Sequence, residues 1–477
     1  MKTYSGVKKS AFQKIFMKML FVFSLFFVHF AWSLASPPGS SPDEDAHLTS
    51  IYCVNLTGNT PCEKLNSKIV NIGYCFLFDS NQDASCDQYS TDQTSDASRS
   101  QWLNLYYLTL SKFAHNDIEF STILMRSFNS FIITLVLTLI YFLLPTKIFV
   151  TSILTWLIVN LPLGFYLVSS INTTSWLLIF TLCLSLISYL IYEKKYNNPI
   201  LIICGIFLFF LSKESRPDTV LITVIILFAF LPLGFIKSNK IYIQNFQRVI
   251  SFLLFLYLLS LIWERSGIGF SNREVAINLW EHLYRVTSIP LGVFGGWGLG
   301  SLEIDMPAIV SVCSNFLILG VILYSLKYSN FNSNLSKIYL GLFIYLIPLF
   351  VIYKSKLQVG EWYQPRYILP LFIPLIFLSI LDIVGDMKFT RNFIFIVGSI
   401  ATVSYLFAIH TTIRRYAFGL DNFVLNLNDN YEWWWQSTNM VSPLIVVLLG
   451  VASYSYILYF LTIEIQKSND FLNNRRY

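Results

Sequence analysis

Three carboxylates and an imidazole fall within five residues at Asp43-Glu44-Asp45-Ala46-His47, just beyond Pro37-Pro38-Gly39. Only 13% of the 477 residues are charged, so where charge falls is informative. A carboxylate beside a hydroxyl can take its proton, and a neighbouring imidazole can orient that carboxylate or bind an anion. Asp43 is the first candidate for such a base, Glu44 the second, and His47 the orienting or phosphate-binding partner. The adjacent acids Asp43 and Glu44 could also hold a divalent cation; nothing else in the chain implies a cofactor. A plainer role suits the same residues: Ser41 or Asp43 capping a helix with an acidic first turn, which helix N-termini favour.

Isolated cations form the second set. Arg126 opens an apolar run, Arg216 sits in Lys213-Glu-Ser-Arg-Pro-Asp218, Arg285 lies in a long loop, and Arg366 falls in Gln364-Pro-Arg-Tyr367. An arginine within a membrane costs about 2–3 kcal/mol at the bilayer centre and less near the ends, so it pairs with an acid or binds an anion. Loop-end salt bridges and snorkelling would account for any one of them. Taken together, planar guanidinium forks suit a phosphate, with Arg126 and Arg366 as first choices and Arg216 and Arg285 in reserve. The glycines of Phe294-Gly-Gly-Trp-Gly-Leu-Gly-Ser-Leu-Glu-Ile-Asp-Met-Pro307 allow a tight re-entrant turn or close ligand approach. They do not form a P-loop, because no Gly-Lys-Ser/Thr follows. Tyr431-Glu-Trp-Trp-Trp-Gln436 reads as an interfacial belt sooner than a sugar-stacking platform. His29 and His410 read as packed residues, and neither a Ser-His-Asp grouping nor a metal-ligand spacing stands out.

The elements that must position these residues are apolar helices. The chain is 55% hydrophobic with mean hydropathy +0.58. Apolar runs near the spanning length of about 20 residues recur throughout, which makes this an all-α, polytopic integral membrane protein. About twelve spans are expected, near 15–34, 127–145, 148–169, 175–192, 199–212, 219–236, 249–263, 306–326, 338–353, 367–385, 392–412 and 441–463. Lysines and arginines dominate alternate connections and acids the others, which places both termini in the cytoplasm and the acidic cluster at the outer face. The net charge of +6 is dispersed between apolar runs and does not suggest nucleic acid.

The chain divides into a cytoplasmic N-terminus and first span (1–35), an outer-face loop with the acidic motif (36–124), a multi-span domain (125–463) and a cytoplasmic tail (464–477). The first run also has features of a cleaved signal peptide, with Ser33-Leu34-Ala35 at its end; its length favours retention as a span. The outer loop holds Cys53, Cys62, Cys75 and Cys86. An even number in an exported segment suggests two disulfides, and of the three pairings four cysteines allow, Cys53–Cys62 with Cys75–Cys86 closes the shortest loops. Trp102 to Phe113 mixes aromatic, apolar and polar residues, as in a helix lying on a membrane surface.

Four motifs in order resemble the DUF2142 family of bacterial membrane proteins. Pro42-Asp-Glu-Asp-Ala-His47 resembles its Pro-Asp-Glu-x-x-His, and Arg126-Ser-Phe-Asn129 its Arg-x-x-Asn. Phe294 through Pro307, with Trp297 and Asp305, resembles its Phe-Gly-x-x-Asp-x-x-Pro. Gln364-Pro-Arg-Tyr-Ile-Leu-Pro370 resembles its Gln-Gly-Arg-Tyr-x-x-Pro. Two departures stand out: Pro365 replaces the family's glycine, and Asn172-Thr-Thr-Ser175 lacks an expected Asp. The family is similar to GT-C glycosyltransferases. That resemblance implies a GT-C-like multi-span fold, a carboxylate in the first outer loop, and a polyprenyl-phosphate-linked sugar as donor. Asn129, Gln364, Tyr367, Trp297 and Asp305 would then belong to the substrate region.

The expected function is therefore a glycosyltransferase of the plasma (inner) membrane, acting at its outer face. It would move a sugar from the lipid phosphate to a cell-surface glycan or lipid acceptor. A transporter or flippase for a lipid-linked or anionic substrate is the main alternative. It would carry its charges nearer the bilayer midplane. An accessory subunit of a surface-polysaccharide assembly complex is the third reading.

Overall fold

The computed structural model describes residues 2–57, 67–86, 104–193, 198–234, 241–265, 279–355, 363–385, 391–429, 431, 433–435 and 441–473. A 33-residue helix, α1 (Lys2–Leu34), leads into a polar segment with α2 (Glu44–Thr57), α3 (Ser67–Val70) and α4 (Leu105–Leu110). Then come α5 (Ile118–Leu143), α6 (Thr146–Val159), α7 (Leu163–Val168), α8 (Thr174–Glu193), α9 (Pro199–Ser215), α10 (Thr219–Phe230) and α11 (Ile241–Arg265). The short helices α12 (Leu279–Val286) and α13 (Ile289–Leu291) precede α14 (Ala308–Ser325), α15 (Phe331–Ser355), α16 (Leu369–Gly385), α17 (Arg391–Phe418) and α18 (Pro443–Asn473). Helix starts follow local chemistry. The Asp117 carboxylate caps α5 at the Phe120 amide (3.0 Å), and Asn198 caps α9 ahead of Pro199.

Seven helices among the described residues are long and apolar enough to cross a membrane. They are Phe12–Leu34, Ile118–Leu143, Thr174–Tyr192, Ala308–Ser325, Phe331–Tyr353, Ile394–Phe418 and Pro443–Lys467. Length and composition therefore support seven spans where the sequence suggested twelve. Thr146–Val159, Thr219–Gly234, Gln247–Leu258 and Leu369–Val384 are apolar but shorter. In a bilayer a helix satisfies all its own backbone groups, which is why an all-helical bundle is the stable solution for such a chain.

Helix α1 is an integral part of the bundle, packed on α18 and α5. Tyr405 and Tyr456 donate to its Val28 and Met17 carbonyls (2.8 and 3.1 Å). One end of the bundle gathers Asp43, Glu44, Arg126, Arg216 and Arg366. Hydrogen bonds there join the C-terminal ends of α1, α9 and α17 to the N-terminal ends of α5, α8 and α16. At the other end Lys337 bonds Asp382 (2.9 Å), Ser325 and Ser329, and so staples α14, α15 and α16.

The Cys75–Cys86 disulfide forms as expected, with its Cα atoms 6.1 Å apart. Cys53 is also disulfide-bonded; Cys62 lies outside the described residues. Arg415, buried at the end of α17, donates to the Phe76, Asp79 and Gln82 carbonyls (2.8, 2.7 and 2.5 Å) and so docks the disulfide loop on the bundle. The helix expected at 102–113 is present from Leu105 as α4 followed by a 3-10 turn, Ser111–Phe113. It buries Tyr106, Tyr107 and Leu110 inward against α2 and α9.

Candidate functional site

Pro37 and Pro38 end α1, because proline removes a donor and restricts the residue before it. Gly39 (φ +81°) then reverses the chain, and Asp43 (φ +62°) turns it into α2. A left-handed non-glycine residue costs about 1–3 kcal/mol, though Asp tolerates it better than most. That strain is over-determined from below. Arg126, on the first turns of α5, donates Nη1 to the Ser33 and Ser36 carbonyls (2.9 and 2.7 Å) and Nη2 to Pro37 (2.9 Å). Its Nε and Nη2 grip Glu44 Oε1 and Oε2 at 2.9 and 2.5 Å. Those contacts use every guanidinium N–H. Glu44 also accepts from the Ile171 and Ser41 amides (2.8 and 3.3 Å), and neither side chain touches solvent.

Asp43 points elsewhere. Its side chain is 59% exposed and its Oδ2 accepts from Arg366 Nη2 at 2.7 Å, joining residues 323 apart in the chain. Arg366 sits in the 3-10 turn Pro365–Tyr367 that starts α16, with Gln364 as the extended residue before it. Its Nη2 also reaches the Tyr367 hydroxyl (3.3 Å), while Nη1 is buried without a hydrogen-bond partner. The Tyr367 ring centroid is 5.2 Å from the Arg366 guanidinium and 5.6 Å from that of Arg216. Arg216, at the C-terminal end of α9, is forked onto Asp218 (2.9 and 2.5 Å) and donates to Thr174 Oγ1 (2.6 Å). His47 shares a hydrogen bond between Nδ1 and the Tyr107 hydroxyl (2.8 Å). Burial pushes its pKa down to about 4; Arg366 and Arg216 act in the same sense and the Asp43 and Glu44 charges oppose them.

The other sequence candidates separate clearly. Asn129 is buried and spends its amide on Tyr106 (3.0 Å), the Ser170 carbonyl (2.9 Å) and the Trp176 indole (3.1 Å). Trp297 and Pro365 both press on Gly292, where an added Cβ would lie 2.9 and 2.4 Å from them. The glycine-rich loop is thereby held against the Arg366 turn. Pro365 is the residue that departs from the family pattern, and it fills this contact. Asn172, the other departure, donates Nδ2 to the Pro42 carbonyl (2.8 Å). A carboxylate there would have no proton to donate. Arg285 is half exposed and paired with Glu281 one helical turn away on α12, and no contact ties it to the Asp43 group. Asp305 is exposed. Asp43 and Glu44 bond different arginines, Arg366 and Arg126. Among the described residues no group of three or more His, Cys, Asp or Glu is placed to hold a metal ion.

Two features escaped the sequence reading. Leu299 and Ile304 pair as a miniature antiparallel bridge, with Gly298, Gly300 and Leu302 at positive φ. The resulting hairpin turns Glu303 inward, two residues from Asp305. Glu303 is buried and accepts from the Tyr416 hydroxyl (2.8 Å). Tyr416 and Tyr166 both reach the Ser40 carbonyl (3.3 and 3.0 Å), three residues before Asp43. Burial raises the Glu303 pKa, outweighing its own and the Ser301 amide, the Tyr416 hydroxyl and the Arg415 charge. A carboxylate in an otherwise apolar, glycine-rich stretch was the available signal. Trp433, Trp434 and Trp435 are also buried, which corrects their reading as an interfacial belt. Trp435 donates to the Leu34 carbonyl (2.9 Å) and lies 5.9 Å from the Arg126 guanidinium. Trp434 packs edge-on against Tyr416.

No curated protein and no solved structure matches the chain. The DUF2142 family, described as a predicted membrane protein, matches residues 26–376, from within α1 to within α16. That match covers the Asp43 turn, Arg126, the Glu303 hairpin and Arg366, and extends over well over half of the sequence; the chain belongs to the DUF2142 family of membrane proteins.

Proposed function

We propose that the protein is a glycosyltransferase with a GT-C-like arrangement of about twelve spans: the seven long apolar helices, the four shorter ones and α9. In this reading it lies in the plasma membrane with both termini in the cytoplasm and the Asp43 end of the bundle at the outer face. The observation that carries the reading is the Asp43–Arg366 pair: a half-exposed carboxylate on a strained turn, held by a buried arginine with an unused N–H. A lipid-linked sugar phosphate would take its place on Arg366, with Arg216, also beside the Tyr367 ring, adding positive charge. Charge develops on the phosphate as its bond to the sugar breaks, so cations placed there lower the barrier.

Loss of Arg366 to the phosphate frees Asp43 for the acceptor. The acceptor oxygen forms its bond to the anomeric carbon, the sugar–phosphate C–O bond breaks with its electron pair leaving on phosphate, and the acceptor proton passes to Asp43. Glu44 and Arg126, saturated by one another and by the backbone, act as the anchor that aims Asp43. His47, kept neutral by burial, holds Tyr107 and the first turn of α2. The acceptor is a cell-surface glycan or lipid.

The test compares surface glycan composition and linkage in a deletion strain, the same strain with the wild type restored, and the same strain with Asp43→Asn restored at equal membrane level. Loss of one sugar or linkage in both the deletion and the Asn strain supports transfer and identifies the product. Restoration by Asp43→Asn points to an accessory subunit. Unmodified lipid-linked precursor accumulating on the cytoplasmic side points to a flippase.

A further inference from the structure

The helix expected on the membrane surface at 102–113 buries Tyr106 and Tyr107 inward, but α12 turns aromatic residues out. The periodicity of a helix sorts the α12 side chains into three stripes. His282 and Val286 are buried, and the His282 ring lies edge-on to that of Tyr353 on α15 at 6.4 Å. Glu281 and Arg285 are each half exposed and pair at 2.6 Å. Trp280, Leu283 and Tyr284 form the third stripe and are 75%, 38% and 81% exposed.

Its neighbours set the level of α12 in the bundle. Tyr353 ends the apolar span Phe331–Tyr353, whose 23 residues rise about 35 Å, close to the thickness of a bilayer's hydrocarbon core. Lys337 and its staple mark the other end of that helix, so Tyr353 and α12 lie at the Arg366 end. Ile338, Leu342, Tyr345 and Tyr353 are the exposed stripe of α15, the side a spanning helix gives to lipid, and the stripe runs up to α12. An exposed ion pair does not suit hydrocarbon, and an exposed Trp-Leu-Tyr face does not suit open water. The headgroup region accepts both, and Trp and Tyr gather there because each ring has an apolar body and a polar tip. We infer that α12 docks on the bilayer at the Arg366 end of the bundle, with Trp280, Leu283 and Tyr284 set into the headgroup region and the Glu281–Arg285 pair turned to water. Helix α12 runs on through α13 to Gly292, which lies against Pro365, so this docking holds the Arg366 turn at the height of the headgroups. The inference needs no transfer reaction and goes beyond the proposed function.

The test reads Trp280 emission as the difference between wild type and Trp280→Phe, with full-length protein in phosphatidylcholine nanodiscs. One set of discs carries lipid brominated on the acyl chain near the headgroup, and iodide in the buffer probes exposure to water. Brominated lipid is expected to quench the Trp280 emission about twofold or more, and iodide to leave it nearly unchanged, as for a ring set into the interface. Two further variants in the Trp280→Phe background read the other positions. Tyr284→Trp is expected to restore quenching by brominated lipid, and Glu281→Trp to respond to iodide instead. Quenching of Trp280 by iodide and not by brominated lipid places the face in water and overturns the docking. Protection from both quenchers means that a second copy of the chain covers the face, which overturns it equally. An identical response of Tyr284→Trp and Glu281→Trp overturns the division into a lipid stripe and a water stripe. All the substituted side chains are half exposed or more, so the variants are expected to fold. The strain comparison above reads the reaction alone, and none of these outcomes decides it.

Discussion

Glu44→Gln and Asp43→Asn are neighbouring, nearly isosteric changes, and the structure assigns them opposite consequences. The Glu44 carboxylate is unexposed, takes two hydrogen bonds from Arg126 and two from backbone amides, and neutralises a cation that is equally buried. Gln removes that charge and puts an N–H pair where the acceptor faced donors. Breaking one side of a buried ion pair costs about 3–5 kcal/mol, which is roughly two to four orders of magnitude in the folded-to-unfolded ratio. Asp43 is 59% exposed, so its pair with Arg366 is screened and contributes at most about 1 kcal/mol. Asn also tolerates the left-handed backbone at this position and retains an acceptor for Arg366. SDS titration of the purified chain in mixed micelles should therefore destabilise Glu44→Gln by about 3–5 kcal/mol and leave Asp43→Asn within about 1 kcal/mol of wild type. Equal stability of the two variants would refute the anchor role of the Glu44–Arg126 pair. It would then return Glu44 to the list of candidate bases.

Three further outcomes are expected. The folded His47 pKa is depressed from 6.5 to about 4, so the unfolded chain takes up the proton first as pH falls; the His47 contribution is complete above about pH 6.5 and is lost between there and pH 4. Glu303, with a raised pKa, changes stability in the opposite sense above its usual range, so the His47 part is isolated by comparing wild type with His47→Gln over that window in thermal denaturation. Gly292→Ala places a methyl 2.4 Å from Pro365 Cγ and 2.9 Å from Trp297, and should displace the Arg366 turn, with the proposed transfer activity lost before the protein unfolds; an unaltered surface glycan in the variant strain would show that the turn has room. Asn172→Asp loses the donor to the Pro42 carbonyl and brings two acceptors to 2.8 Å, and should lower the melting temperature of the purified protein, whereas Asn172→Gln retains a donor and is expected to be milder.

Much of this protein could be read from one sequence because a bilayer leaves the chain few options. Apolar runs must be helices there, and charge is costly enough that Asp43, Glu44, Arg126 and Arg366 stood out by scarcity alone. Their order along the chain also sufficed to identify the family, and loop length to identify the Cys75–Cys86 disulfide. Span number was harder, since runs such as Leu369–Val384 are apolar yet shorter than a bilayer's usual requirement.

What only the tertiary structure decided is which partner each charge takes. Asp43 and Glu44 are adjacent, but a left-handed residue between the turn and α2 sends one carboxylate inward to Arg126 and the other outward to Arg366. Glu303 and Asp305 are separated by one residue, and the Leu299–Ile304 hairpin buries the first and exposes the second. Sequence reasoning puts Asp43 ahead of Glu44 and picks out Asp305 where Glu303 is the buried one, because nothing in the residue order shows which carboxylate is desolvated. Their chemistry diverges because backbone direction sets which carboxylate is desolvated, and desolvation with pairing at long sequence separation is a property of the folded chain.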